Sequence, residues 1–236
     1  MNTYEKTFSY EERCAQRADV PYGVNEISAS RYNLIMCGSV FYGLLMNFLM
    51  VVLLGNSVIG YLSQHPMGII VFFVAYLVLG ICGVVIAHRS SRPAISFLGY
   101  NMIVLPLGIL LCIVIPGYPI FIVAKAIALT AFITLFMTGL GTAFPQFFLS
   151  IGRTLLITLC IALLAEVLSL LLFGYSGTFF DIIFVLIFSL YVGFDIARSQ
   201  VYAHTVDNAI DSAIDIYLDI VNLFLRLLQI LARSKK

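Results

Sequence analysis

The sequence predicts an all-α polytopic membrane protein, a seven-helix transmembrane bundle with the C-terminal helix at its centre. Three observations lead there. Of 236 residues, 61% are hydrophobic and 11% charged, more apolar surface than one soluble core of this size can hide. The apolar residues fall into seven runs near the ~20 residues that a helix needs to cross a ~30 Å hydrocarbon layer. Short loops rich in turn residues separate the runs, so that sequential helices are antiparallel neighbours.

Residues 1–31 come first and mix both signs of charge, with Glu5, Lys6, Glu11, Glu12, Arg13 and Arg17. That pattern does not read as a cleavable signal peptide. A flexible polar tail is expected over 1–31 and the transmembrane domain over 32–236.

Sliding a span-length window places the helices at 32–54, 67–87, 97–115, 121–141, 155–174, 180–197 and 213–232. The turns between them include Gln64-His65-Pro66, Ser91-Arg92-Pro93, Pro116-Gly117-Tyr118-Pro119 and Tyr175-Ser176-Gly177. Tyr residues near span ends suit the interface, where an amphipathic ring is favoured. Lys6, Arg13, Arg17 and Arg31 in the tail, then Arg89 with Arg92, Arg153 and Arg198 in alternate loops, put the N-terminus in the cytoplasm by the positive-inside rule. Seven crossings then leave Arg233, Lys235 and Lys236 on the far side, against the rule, unless the last helix re-enters.

Several function classes drop out. A net charge of +1 leaves no nucleic-acid footprint. Cys14, Cys37, Cys82, Cys112 and Cys160 lack metal-ligand spacing, and His65, His88 and His204 are dispersed in loops, so neither a zinc centre nor any other cofactor is expected.

The last span carries the concentrated polar chemistry. At 100° per residue, Asp211, Asp215, Asp219, Asn222, Arg226, Gln229 and Arg233 fall within an arc of about 80°, along about 34 Å of helix. A charge facing lipid at mid-bilayer costs ~3 kcal/mol or more. The stripe must therefore face the bundle interior or a wet cavity, which makes the last helix central. A surface-lying amphipathic helix would need a wider polar face.

Asp195 ends the run Tyr191-Val192-Gly193-Phe194-Asp195, a few residues before the loop into the last helix, and Asp219 lies a similar distance beyond it. Antiparallel packing brings the two to one depth. Two carboxyls in low dielectric cannot comfortably both ionise, so they share a proton and form a proton sensor titrating toward neutral pH. The plainer reading is that each caps a helix or pairs with Arg89, Arg92 or Arg198. Lys125 and Glu166, also within spans, are expected to pair structurally.

The stretch from Ala213 to Leu231 resembles the signature of the Bax inhibitor family of transmembrane proteins, most specifically in Tyr217-Leu218-Asp219-x-x-Asn222-Leu223-Phe224. Phe194-Asp195, the start of the third span at Phe97 to Tyr100, and Ala126-x-x-x-Thr130-Ala131-Phe132 support it. The resemblance implies a seven-helix bundle and, as in bacterial members, a pH-sensitive calcium leak controlled by an aspartate pair, here Asp195 and Asp219. It implies an Arg near the end of the second helix that latches the sixth-helix Asp, with Arg89 the best-placed match and Arg92 second. The sequence departs from the family in having Gln229 where Arg is frequent and Asp215 where the residue is uncharged; Arg226 stands one turn earlier.

Calcium prefers six to eight oxygens, so Asp195, Asp215 and Asp219 with Asn222 would make only a weak, hydrated site, which suits a permeating ion. The partners so implied are the lipid bilayer, calcium ions and a membrane protein; the compartment is a bacterial inner membrane. The alternative is a non-transporting regulator, since some relatives are thought to restrain a membrane-bound AAA protease, for which the N-terminal tail is the obvious handle. No enzyme is expected. A presenilin-like aspartyl protease needs a Gly-x-Gly-Asp element, whereas Ile216-Tyr217-Leu218 precede Asp219; the rhomboid-like Gly174-Tyr175-Ser176-Gly177 has no His within a span. Lys125 lacks the surroundings of a retinal Schiff base.

Overall fold

The computed structural model describes residue 17 and residues 25–174 and 177–234. Most of the tail expected over 1–31, the Tyr175-Ser176 turn, Cys14, Lys235 and Lys236 lie outside the described residues. Among those described there are seven α-helices and no strand: α1 (Ala29–Gln64), α2 (Pro66–Arg89), α3 (Pro93–Val114), α4 (Ile120–Ala143), α5 (Pro145–Phe173), α6 (Thr178–Ser199) and α7 (Val206–Arg233). A 3-10 turn, Ile115–Gly117, follows α3.

Local chemistry sets the ends. The Ser28 side chain accepts from Arg31 N and opens α1, and the Thr205 side chain accepts from Asn208 N and opens α7. Pro93 and Pro145 occupy first turns, where a missing N–H costs nothing. Gly174, at φ 63°, takes the left-handed conformation that ends α5.

Three helices are longer than their apolar runs. α5 starts at Pro145, ten residues before the expected 155, so that Arg153 lies within the helix and not in a loop. α1 extends ten residues past the expected 54, because nothing between Gly55 and Gln64 interrupts its hydrogen bonding before Pro66. α7 starts seven residues before the expected 213, because its Thr205 cap lies that far upstream.

Helices α1 to α6 are long and apolar enough to cross a membrane. Their outer faces are apolar: Ile120 is 80% exposed and Phe173 79%. The fold is therefore a helical membrane bundle. α7 differs in carrying acids and arginines along its length.

Within the bundle, α3 packs against both α1 and α2, which touch each other little. α6 packs against α4, α5 and α7, and α7 also meets α1, α4 and α3. Tyr217, Ile214, Leu223 and Leu228 of α7 are fully buried. Tyr100 of α3 meets Tyr217 edge to face at 5.4 Å between centroids, a favourable ring geometry. Close backbone approach depends on glycine where α4 meets α6: a Cβ on Gly141 of α4 would lie 2.5 Å from the carbonyl oxygen of Gly193 of α6. That contact sets α6 against α4 two residues before Asp195.

Candidate functional site

The short connection between α6 and α7 builds the site. Asn208 Nδ2 donates to Ala203 O at 2.9 Å and Thr205 N to Ala203 O at 2.8 Å, tying the loop to the first turn of α7. The two helices then run antiparallel, and the end of α6 faces the first four turns of α7.

Asp195 is 5% exposed and Asp219 7%. Their carboxyls lie within side-chain hydrogen-bonding reach of each other. Asp219 Oδ2 is buried with no hydrogen-bond partner. No cation forms a salt bridge with Asp219 among the described residues, so its charge has Asp195 as its nearest polar company.

Asp195 and Asp215 share one cation. Arg198 Nη2 lies 2.8 Å from Asp195 Oδ1, one helical turn away, and 2.6 Å from Asp215 Oδ2. The guanidinium is also held 5.1 Å from the Phe194 ring centroid. Asp215 has a second neighbour, His88 Nε2, at 3.3 Å. One turn earlier, Arg17 pairs with Asp211 and reaches His88 O at 3.4 Å. Ser96 Oγ donates to Asp207 Oδ1 at 2.6 Å.

Arg89 and Arg92, expected as the latch, stand apart from the acids in this structure. Arg89 and Arg92 are exposed and form no ion pair among the described residues. Position 88 points from α2 toward α7, and position 89, rotated ~100° around the helix, points away. His88 and Arg198 are the groups that meet the acids. Nor do Asp195, Asp215 and Asp219 converge as a metal cage: Arg198 occupies the position between the first two, and among the described residues no three His, Cys, Asp or Glu side chains are placed to hold a metal.

The stripe continues through half-buried Asn222 to a second charged group. Arg226 makes a bidentate pair with Glu166 of α5, Nη1 to Oε1 2.7 Å and Nη2 to Oε2 2.8 Å, and touches Asp181 Oδ1 of α6 at 3.0 Å. Arg233 Nη1 takes the other Asp181 oxygen at 2.6 Å. Gln229 is half-buried between them. The expected Lys125–Glu166 pair does not form: Lys125 is exposed on α4, and Glu166 already has Arg226.

Asp181, His88 and Arg17 were not foreseen as site residues. Asp181 reads in sequence as an ordinary acid in a first helical turn, where the helix dipole favours it. Its signal was spacing, since an acid within a span demands a partner and the unpaired bases lay on the last helix.

Chemically, the arrangement is an acid-rich half and a base-rich half on one face of α7. The acid half can attract and bind cations weakly and can hold a proton between two carboxyls. The family model described as "Inhibitor of apoptosis-promoting Bax1" matches residues 25–236, nearly the whole chain. No curated protein matches it.

Proposed function

The chain belongs to the Bax inhibitor family, and on that premise we propose that it is a pH-sensitive cation leak, calcium its principal cargo, gated by protons at the Asp195–Asp219 pair. The observation that carries the reading is the buried Asp219 carboxyl, against Asp195 and with an oxygen that no donor satisfies. An acid kept in such surroundings is costly unless it is used.

In this reading α7 is a seventh span and the axis of the bundle. Its contacts with α1, α3, α4 and α6 support that, as does a polar stripe that lipid would not tolerate. The N-terminus faces the cytoplasm of a bacterial cell, whose inner membrane holds the bundle.

The mechanism follows from charge. With one proton shared, Asp195 and Asp219 carry a single negative charge; Arg198, shared by Asp195 and Asp215, together with a protonated His88 at Asp215, balances that charge and the charge of Asp215. Loss of that proton adds a charge that no further cation among the described residues offsets. The two carboxylates then repel, α6 and α7 loosen at this depth, and a hydrated cation is drawn in to replace the proton. Binding to so few protein oxygens is weak, which lets the ion leave again. The leak therefore rises with pH. His88 and Arg198 act on the same acids as the closing contacts. No catalytic step and no resident cofactor are assigned.

The test is calcium entry into proteoliposomes holding the purified protein, compared with protein-free liposomes across about pH 6 to 8. Entry that grows with pH supports the proposal. Flux equal to that of empty liposomes at every pH rejects conduction and favours a regulatory role through a membrane partner.

A further inference from the structure

Among the described residues, the far end of the α7 stripe joins charges drawn from three helices. Arg226 engages both oxygens of Glu166 and one of Asp181, and Arg233 engages the other Asp181 oxygen. Two acids meet two bases, so the group is neutral while every member is engaged. Asp181 is wholly buried, and the Arg226 guanidinium lies 4.1 Å from the Phe184 ring centroid, which fixes its plane.

Stability alone does not account for this group. Desolvating an ion pair cancels most of its attraction, and apolar residues of similar volume hold helices together as well or better. α5 packs chiefly on α6, so the Arg226 side chain reaches across to Glu166 rather than meeting it through close packing of α5 on α7.

Position supplies a role. Arg226 follows Asp219 by seven residues, about 10 Å along the same face of the helix. A cation attracted to Asp215 and Asp219 passes Asn222 and then meets a fixed positive charge. We propose that Arg226, held by Glu166 and Asp181, is a second gate that closes the far end of the cation path independently of the proton-sharing pair. While Arg226 stays in the network, its charge repels the ion. When it leaves, Glu166 and Asp181 turn from counter-ions into carboxylate ligands for the passing cation, and Arg233 keeps Asp181 in place.

The inference rests on the cation-leak reading, and the experiment separates the two. Calcium entry is measured in proteoliposomes with equal amounts of wild type, Arg226→Gln and Glu166→Gln, each first checked for a monodisperse peak in size-exclusion chromatography. Arg226→Gln is expected to raise entry by about tenfold at the pH where wild type is least active, the factor that corresponds to ~1.4 kcal/mol of barrier. Glu166→Gln, which frees Arg226 from its bidentate hold, should raise entry by less. Should Arg226→Gln fail to fold, Glu166→Gln alone decides. Wild-type flux with unchanged or lower flux in the folded variants overturns the second gate and leaves the leak standing. Absence of flux from wild type and both variants overturns the leak, and the gate with it.

Discussion

His88 at the end of α2 places Nε2 3.3 Å from Asp215 Oδ1 of α7, joining a helix that otherwise packs mainly on α3 to the acid cluster. The contact is an ion pair only when the imidazole is protonated. Arg17 and Asp211 lie near the imidazole, and Arg198 binds the same Asp215, so its charge bears on all of them.

From this contact, α2 is expected to loosen from α7 as pH rises and the imidazole loses its proton. His88→Arg makes the pair permanent and should leave α2 attached at every pH, with a leak below that of wild type that still rises with pH through Asp195 and Asp219. His88→Phe should raise the leak above wild type at low pH while the rise with pH persists. Spin labels on α2 and α7 report the separation directly; equal distances in the two variants would show that His88 does not hold α2.

Arg198 is the cation shared by Asp195 and Asp215, and its side chain is only 16% exposed. Arg198→Met leaves two enclosed carboxylates without it and is expected to destabilise the protein by ~3–5 kcal/mol. The loss should be largest near neutral pH and smaller in acid, where the carboxylates are neutralised. Adding Asp195→Asn should recover part of it. Thermal unfolding in detergent at two pH values measures both effects.

Gly141 and Gly193 fix the spacing of α4 and α6 beside Asp195. Gly141→Val forces a side chain toward backbone, which has no rotamer with which to yield. The expected cost is ~1–3 kcal/mol, and Asp195 should move relative to Asp219. A lower unfolding temperature with a blunted pH response is the predicted result. The same substitution at Gly38, where an added Cβ meets nothing within 4 Å, should change neither.

On the opposite face of α7, Asn47 Nδ2 donates to the Tyr217 hydroxyl, and both side chains are buried. Tyr217→Phe removes that acceptor in a place water does not reach and should cost ~1–3 kcal/mol. Replacing Asn47 by Leu as well should recover much of it, because no unpaired polar group then remains. Calcium flux should keep its pH dependence in both variants.

Much of this arrangement was legible in the sequence. Seven apolar runs separated by short loops gave seven helices, and the equal distances of Asp195 and Asp219 from one loop brought their carboxyls together. The 100° rotation per residue put the charges of the last helix on one face. What that face met was harder to read. Whether residue 88 or 89 of α2 points at the acids turns on a one-residue rotation that no loop length fixes. Arg17 meets Asp211 across 194 positions of chain, and nothing in a polar N-terminal segment marks which residue will dock. That both lie in spans suggests pairing Glu166 with Lys125, but side-chain direction decides partners, and Lys125 faces outward. Helix ends were least legible where hydrogen bonding continues past the apolar run, as in α1, α5 and α7.

The central claim, that the Asp195–Asp219 pair senses protons for a cation path, is tested most directly by calcium entry into proteoliposomes across about pH 6 to 8 for wild type, Asp195→Asn and Asp219→Asn. The expected result is a leak that rises with pH in wild type and a flat, low leak in both variants, since neither has two carboxyls left to share a proton. A pH response that survives unchanged in both variants would contradict it.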